Sequence, residues 1–376
     1  MPYFIGLMSG TSLDGVDAAL VDISASGPPR LVATRGAPMP PALRDGLWQL
    51  CHAEQASFAE LAAAEDAFCA LQAEAVVGLL AETGLAAADI AAVGSHGQTI
   101  EHAPWGHNGG PAYTLQLDNP SRLAELTGCT VVADFRRRDL AAGGQAAPLA
   151  PAFHQALFRA PGQWRLVLNL GGFANLTLLP PVEDGRDPLG FDTGPANALL
   201  DAWHARHRGG NFDVDGAWAA SGRVDEALLE RLLAEPFFHR PPPRSTGREV
   251  FHLEWLKAHL RGDERPEDVQ ATLAELTAAS VALGIDMARE RYAAPSAECL
   301  IPCGGGAHNP DLLARLARRM PDTRLETAEA FGWSPDWLEA AAFAWLAWCR
   351  LEGQPGNLPS VTGAAGPRVL GGLFAP

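Results

Sequence analysis

Three glycine-bearing segments each follow an apolar run: Gly10-Thr11-Ser12-Leu13-Asp14-Gly15, Gly171-Gly172-Phe173-Ala174-Asn175 and Gly304-Gly305-Gly306-Ala307-His308-Asn309. Glycine lets a backbone approach a ligand closely and adopt positive φ, and successive N–H groups in such turns form concave anion sites. Thr11 and Ser12 add hydroxyl donors to the first segment, and Val16 and Asp17 carry it into the next apolar run. At about 1.5–3 kcal/mol per charge-assisted hydrogen bond, about four or five of them hold a triphosphate at micromolar strength. One such turn alone reads more readily as a hairpin or a helix cap, whereas three in one chain favour phosphate chemistry. Asp14 is placed to hold a magnesium ion through water, against the competing role of bracing its own turn.

Other residues supply proton chemistry and recognition. Asp192 ends an apolar run before Gly194-Pro195, so it projects from a strand end as a general base would, or caps the helix that follows. Glu339 stands in the first turn of a long helix, where the helix dipole favours a carboxylate. His96 and Gln98 follow a strand end in a glycine-bracketed loop and carry donors and acceptors suited to sugar hydroxyls; a satisfied structural histidine is the alternative. Arg136, Arg137 and Arg138 form either a solvated charge run or a guanidinium clamp for a carboxylate, with Arg138 the preferred member. There is no GxxxxGK[ST] segment, and the first glycine turn leads into a strand rather than a helix, so neither a Walker loop nor a dinucleotide fingerprint applies.

The elements that must position these groups alternate between strand and helix, which indicates an α/β protein. Tyr3 to Ile23 reads as strand, turn and strand, and Arg30 to Arg35 as a third strand. A helical stretch spans 54–83, with Gly84 as its stop signal. Ile90 to Gly94 and Val131 to Phe135 read as short buried strands. Arg165 to Leu179 repeats the opening pattern of strand, glycine turn and strand. Helices are expected over 197–205, 225–234, 269–292, 310–319 and 336–351. The crossing between two domains is placed near residue 160, giving 1–160 and 161–362, with the segment 363–376 packing back on the first.

Length and composition agree with this. The chain has 376 residues, 47% apolar and 19% charged, enough for two cores. A net charge of -16 argues against nucleic acid and anionic membrane surfaces as partners, while leaving a local phosphate site open, because distant charges are screened. Six scattered cysteines without a CxxC pair suit a reducing, cytoplasmic setting. The N-terminus lacks the basic and apolar signature of a signal peptide.

Strand–turn–strand clamps of this kind, with a nucleotide cleft between two domains, resemble the actin–hexokinase–Hsp70 superfamily and its ribonuclease H-like fold. The residues sharpen the resemblance. Gly6-Leu7-Met8-Ser9-Gly10-Thr11-Ser12-Leu13-Asp14-Gly15-Val16-Asp17 closely resembles the first phosphate motif of the anhydro-N-acetylmuramic acid kinases. So do Gly94-Ser95-His96-Gly97-Gln98-Thr99, the run from Val132 to Asp139, Asn169-Leu170-Gly171-Gly172, Gly190-Phe191-Asp192-Thr193-Gly194-Pro195, Ser245-Thr246-Gly247-Arg248-Glu249, the run from Cys303 to Asn309, and the run from Glu339 to Ala347. These motifs cover essentially the whole chain. Ala146, Ala196 and Asp118 depart from the pattern at positions where glycine is usual.

The resemblance implies a cytoplasmic enzyme of cell-wall recycling. It would use ATP, Mg2+ and water to open 1,6-anhydro-N-acetylmuramic acid, giving N-acetylmuramic acid 6-phosphate and ADP. It further implies that Asp192 is the base that deprotonates the attacking water and that Glu339 makes a second contact to water or sugar. Gly10 to Asp17, Gly171, Gly172, Asn175 and Gly304 to Gly306 would hold the nucleotide. His308 and Asn309 would line its adenosine part or cap a helix. His96, Gln98 and Arg138 would meet the sugar. A homodimer is compatible with this reading. The alternatives are a kinase for another aminosugar and a nucleotide-gated binding protein of the same fold.

Overall fold

The structure is a computed structural model that describes residues 3–24, 27–107, 109–242, 244–248 and 250–376. Pro243 of the proline run and Glu249 of the Ser245–Glu249 motif lie outside the described residues.

The chain divides into two compact units, Met1–Leu157 with Trp337–Pro376, and Phe158–Asp336. The strands in chain order are β1 (Tyr3–Ser9), β2 (Gly15–Asp22), β3 (Arg30–Pro38), β4 (Ile90–Ala103), β5 (Tyr113–Leu117), β6 (Val131–Ala133), β7 (Arg165–Leu170), β8 (Phe173–Leu179), β9 (Leu189–Pro195), β10 (Cys299–Cys303), β11 (Arg324–Leu325) and β12 (Gly372–Phe374). The first unit holds a seven-stranded sheet in the order β12-β6-β4-β1-β2-β3, with β5 added to β4. The second holds a five-stranded sheet in the order β11-β10-β7-β8-β9.

The two sheets share one plan. In the first, β1, β2 and β3 form an antiparallel meander, and β4 and β6 continue in parallel beyond β1. In the second, β7, β8 and β9 form the meander, and β10 and β11 continue in parallel beyond β7. This is the repeated ribonuclease H-like order expected from the two strand–turn–strand openings. Central strands flanked by parallel neighbours are covered on both faces, so β10 is buried throughout and reads as a continuous apolar run.

The long helix Phe58–Thr83 starts at Ser57, whose side chain and Glu60 form a reciprocal capping box, and stops at Gly84 in the left-handed region. Its start lies downstream of residue 54, and a separate helix, Pro41–His52, precedes it with Pro in its first turn. In the second unit, Pro266–Tyr292 is long and apolar enough to cross a membrane, yet 72% of its most apolar window is buried inside the protein. It serves as the unit's core helix, with Ala278, Val281, Ile285 and Ala288 packed against Leu176, Leu178 and Phe191.

The sequence-based boundary near 362 moves to Trp337. Helix Leu338–Leu351 packs directly on the first sheet, because β1 and β4 each offer a glycine to it. A Cβ on Gly6 would lie 1.8 Å from the Ala340 carbonyl oxygen, and one on Gly94 would lie 2.0 Å from that of Phe343. Only bare backbone permits that approach, so the segment expected to close the second domain belongs to the first.

Candidate active site

The first glycine turn joins β1 to β2, with Met8 opposite Asp17. Leu13 takes φ 57°, its N–H donates to the Gly10 carbonyl at 3.4 Å, and its side chain is buried with that of Val16. Leu13 and Val16 therefore anchor the turn in the core, which leaves backbone and the exposed Thr11, Ser12, Asp14 and Asp17 at its surface. Asp14 accepts from the Ser12 hydroxyl at 2.9 Å, so the turn-bracing role is present. Among the described residues no cluster of three or more His, Cys, Asp or Glu could cage a metal. Magnesium needs no such cage when phosphates supply most of its oxygens, and the two exposed carboxylates of this turn suit that mode.

Gln98 braces the same turn. The Ser9 hydroxyl, 2.9 Å from the Gly15 carbonyl oxygen, donates to Gln98 Oε1 at 2.7 Å, and Gln98 Nε2 donates to the Gly10 and Thr99 carbonyls at 3.4 and 3.2 Å. Fully buried, this amide is committed to protein rather than displayed to a sugar. His96 is also buried, with its Nε2 accepting from Arg136 Nε at 3.1 Å and Nη2 at 2.8 Å. A guanidinium only donates, so Nε2 is unprotonated and the ring proton sits on Nδ1. Burial, and then the Arg136 charge, hold the imidazole well below its usual range, and His96 is neutral at pH 7.

The arginine run resolves by position. Arg137 and Arg138 are exposed at the start of the short helix Arg137–Ala141. Arg136 points inward, and Nη1 donates to the Ala146 carbonyl at 2.7 Å. Burial lowers the Arg136 guanidinium to about 10, opposed by the nearby carboxylates of Glu339 and Asp139. Arg136 rather than Arg138 thus meets His96 and faces the charge of Glu339. Glu339 itself is exposed in the first turn of its helix, as expected.

Asp139, which closes the Val132–Asp139 motif but was given no role of its own, is fully buried. Its carboxylate accepts from Ala146 N–H at 2.8 Å, Asn357 Nδ2 at 2.6 Å and Thr362 Oγ1 at 2.8 Å. Two of its partners come from the distant stretch 357–362, so no local spacing could reveal it. Ala146, which stands where glycine is usual, adopts φ 61° and keeps the left-handed backbone.

In the second unit, Asp192 lies within β9 directly across from Asn175 on β8. Helix Asn197–Arg208 begins after Ala196 without a side-chain cap, so Asp192 is not a helix cap. Its Oδ2 accepts from Thr246 N–H at 2.9 Å, and its own N–H donates to the Arg244 carbonyl at 2.9 Å. The Ser245–Glu249 motif is tied to the strand that carries the carboxylate.

The second glycine turn closes β7 onto β8. Its carbonyls accept from the first N–H groups of the next helix: Asn197 to Gly171 at 3.1 Å, and Ala196 and Ala198 to Gly172 at 3.1 and 3.0 Å. The third turn leans on the second, since a Cβ on Gly304 or Gly306 would lie 2.3 Å from Asn169 Oδ1 or 2.6 Å from Leu170 Cβ. Gly305 has open space around it, and Gly10, Gly171 and Gly172 meet nothing closer than 3.5 Å. Gly304 and Gly306 are thus required by packing, whereas the other four leave room for a side chain that the chain does not use. Asn309 caps helix Pro310–Arg319 by accepting from Leu312 N–H at 3.0 Å, and His308 Nε2 lies 2.7 Å from Asp336 Oδ1.

A protein-family model described as anhydro-N-acetylmuramic acid kinase matches residues 2–376. The chain is 64% identical over 375 residues to the anhydro-N-acetylmuramic acid kinase of Chromohalobacter salexigens, covering 100% of both. It is 52% identical to that of Pseudomonas syringae pv. tomato over 99% of each chain. To that of Xanthomonas campestris pv. campestris it is 54% identical, over 99% of this chain and 97% of the relative. Among solved structures, it aligns with the activator of the 2-hydroxyisocaproyl-CoA dehydratase from Clostridium difficile at TM-score 0.46 and 15% identity, over 93% of this chain and 96% of that one.

Proposed function

The chain belongs to the anhydro-N-acetylmuramic acid kinase family, and from that premise we propose how its residues divide the work of a kinase that hydrolytically opens 1,6-anhydro-N-acetylmuramic acid and phosphorylates its O6. The substrates are ATP, water and the anhydro sugar; the products are ADP and N-acetylmuramic acid 6-phosphate.

Asp192 removes a proton from the water that attacks the anomeric carbon. The C1–O6 bond breaks as the water oxygen bonds to C1. The O6 oxygen leaves with the bonding electrons and takes the γ-phosphoryl group, so no separate acid has to protonate it. This differs from ordinary glycosidases, which use a pair of carboxylates. The observation that carries the assignment is the fixed Asp192 carboxylate, held by the Thr246 N–H at 2.9 Å in the middle of a buried strand.

The glycines with unused room, Gly10, Gly171, Gly172 and Gly305, are where backbone N–H groups come close to phosphate oxygens. His308 and Asn309 flank the adenosine part. Glu339, whose charge acts on Arg136, contacts the sugar or its water, and Arg136 is better placed than Arg138 to meet the lactyl carboxylate. Magnesium would neutralise charge on the transferred phosphoryl group when bound, and Asp14 and Asp17 would hold it through water. None of the described cysteines is in a disulfide, which is compatible with a reducing, cytoplasmic setting.

The test is incubation with Mg-ATP, the anhydro sugar and oxygen-18 water, followed by mass spectrometry of the products. One oxygen-18 at C1 and none in the new phosphate ester is expected. Sugar-independent ATP hydrolysis without a phosphorylated product would instead favour a nucleotide-gated binding protein.

A further inference from the structure

Arg244 is 8% exposed, in the second unit next to the base assigned above. Its Nε donates to the Asp192 carbonyl at 3.0 Å, while Nη1 donates to the carbonyls of Phe237, Phe238 and Arg240 at 3.1, 2.9 and 2.7 Å. The guanidinium packs over the rings of Phe191 and Phe237 at 5.7 and 4.8 Å. Burial lowers its pKa to about 10, opposed by the charge of Asp192, with Arg240 the further charged neighbour. The Arg244 carbonyl in turn accepts the Asp192 N–H, and Thr246, two residues on, holds the Asp192 carboxylate.

Nη2 has no hydrogen-bond partner among the described residues. In the planar fork of a guanidinium, one Nη2–H runs parallel to Nε–H, so this N–H is directed to the side on which Asp192 lies. A buried charged donor without a partner is costly. The tie between the loop Pro236–Arg240 and β9 uses Nε and Nη1, and Nη2 takes no part in it.

Resting on the assignment of Asp192 as the base, we propose that Arg244 is a positioning residue for the reaction: it fixes the stretch of β9 that carries Asp192 and supplies the buried positive charge that keeps the carboxylate ionised and ready to accept a proton. The residue does not touch the sugar.

The experiment compares Arg244→Gln, Arg244→Lys and Asp192→Asn by kcat, KM and the pH profile of sugar-dependent ADP release, with ATP affinity measured by calorimetry. For Arg244→Gln, kcat falls by up to about 100-fold, ATP affinity is unchanged, and the acidic limb of the rate profile moves up by about one pH unit or more. Arg244→Lys keeps the charge but not the fork, so its kcat falls while the limb stays in place. An Arg244→Gln enzyme whose limb does not move, and whose loss of rate only follows a lower melting temperature, overturns the proposal. Should the glutamine variant not fold, a lysine variant with wild-type kcat overturns it as well. Asp192→Asn reports separately: if it retains the rate and the limb, the base lies elsewhere and the premise fails with the proposal.

Discussion

The two glycine hairpins occupy the same place in two sheets of the same strand order, yet they are built differently. The β1–β2 turn is the wider one. It is braced from beneath by the buried amide of Gln98 and displays two carboxylates, Asp14 and Asp17. The β7–β8 turn is tight, its carbonyls are taken up by helix N–H groups, and it displays no acid. The acid of the second unit lies across the sheet at Asp192, held by backbone. Helix packing differs as well. In the first unit the sheet supplies the glycines, Gly6 and Gly94. In the second, the core helix supplies Gly284, where a Cβ would lie 2.9 Å from Thr193 Cγ2. On the function proposed above, a duplicated plan has diverged into a metal-facing turn in one unit and a base-bearing strand in the other.

The widest break in that comparison should come from removing metal. Activity in excess EDTA is expected to vanish and to return with Mg2+, because the acids of the first turn would repel an unneutralised triphosphate; full turnover in EDTA would remove the metal-facing role from the first unit.

Next in size is Asp192→Asn, which keeps the side-chain shape and one oxygen but removes the base. Turnover should fall by about 10²–10⁴-fold. ATP affinity by calorimetry should change little, since both glycine hairpins are untouched. A variant that opens the anhydro ring without consuming ATP would separate hydrolysis from phosphorylation and sink the single-base scheme.

The glycines then sharpen the difference between packing and ligand contact. Gly306→Ala crowds Leu170 and should cost about 1–3 kcal/mol of stability, read as a lower midpoint in denaturant. Gly171→Ala should leave that midpoint within about 0.5 kcal/mol while weakening ATP binding. Equal loss of stability in the two variants would mean that the open space at Gly171 has no functional meaning.

The smallest effect belongs to Asp118, where the first unit carries a carboxylate in place of the usual glycine. Burial pushes it up to about 6, above the ordinary unfolded value of about 3.9. The folded state therefore binds the proton more tightly, so this group's contribution is fullest below about pH 4 and is lost as pH rises through 6. Asp118→Asn should flatten that decline and raise the melting temperature at pH 7 by a few degrees, roughly 2–4 °C per kcal/mol. An unchanged temperature profile would show that the carboxylate is well solvated.

Much of this was legible in the chain. Alternation of strand and helix and the repeated glycine turns indicated an α/β protein with two strand–turn–strand openings, because period and turn chemistry are local properties, and the superfamily resemblance implied the ribonuclease H-like sheets. The position of Glu339 in a helix's first turn followed from the same local signals, whereas Asp192, expected at a strand end, lies in the middle of β9, which runs on to Pro195; the family motifs pointed to their chemistry. What sequence could not decide were matters of long-range contact. The return of the chain at Trp337 depends on Gly6 and Gly94 meeting a helix that begins more than 200 residues later. Which of three consecutive arginines turns inward depends on His96 and Ala146, and the roles of Asp139 and Arg244 depend on partners gathered from separate segments. Gln98 was read as facing a ligand and instead holds up the first turn. A side chain's partners are fixed by where the backbone of other elements arrives, and only the assembled fold brings those backbones together.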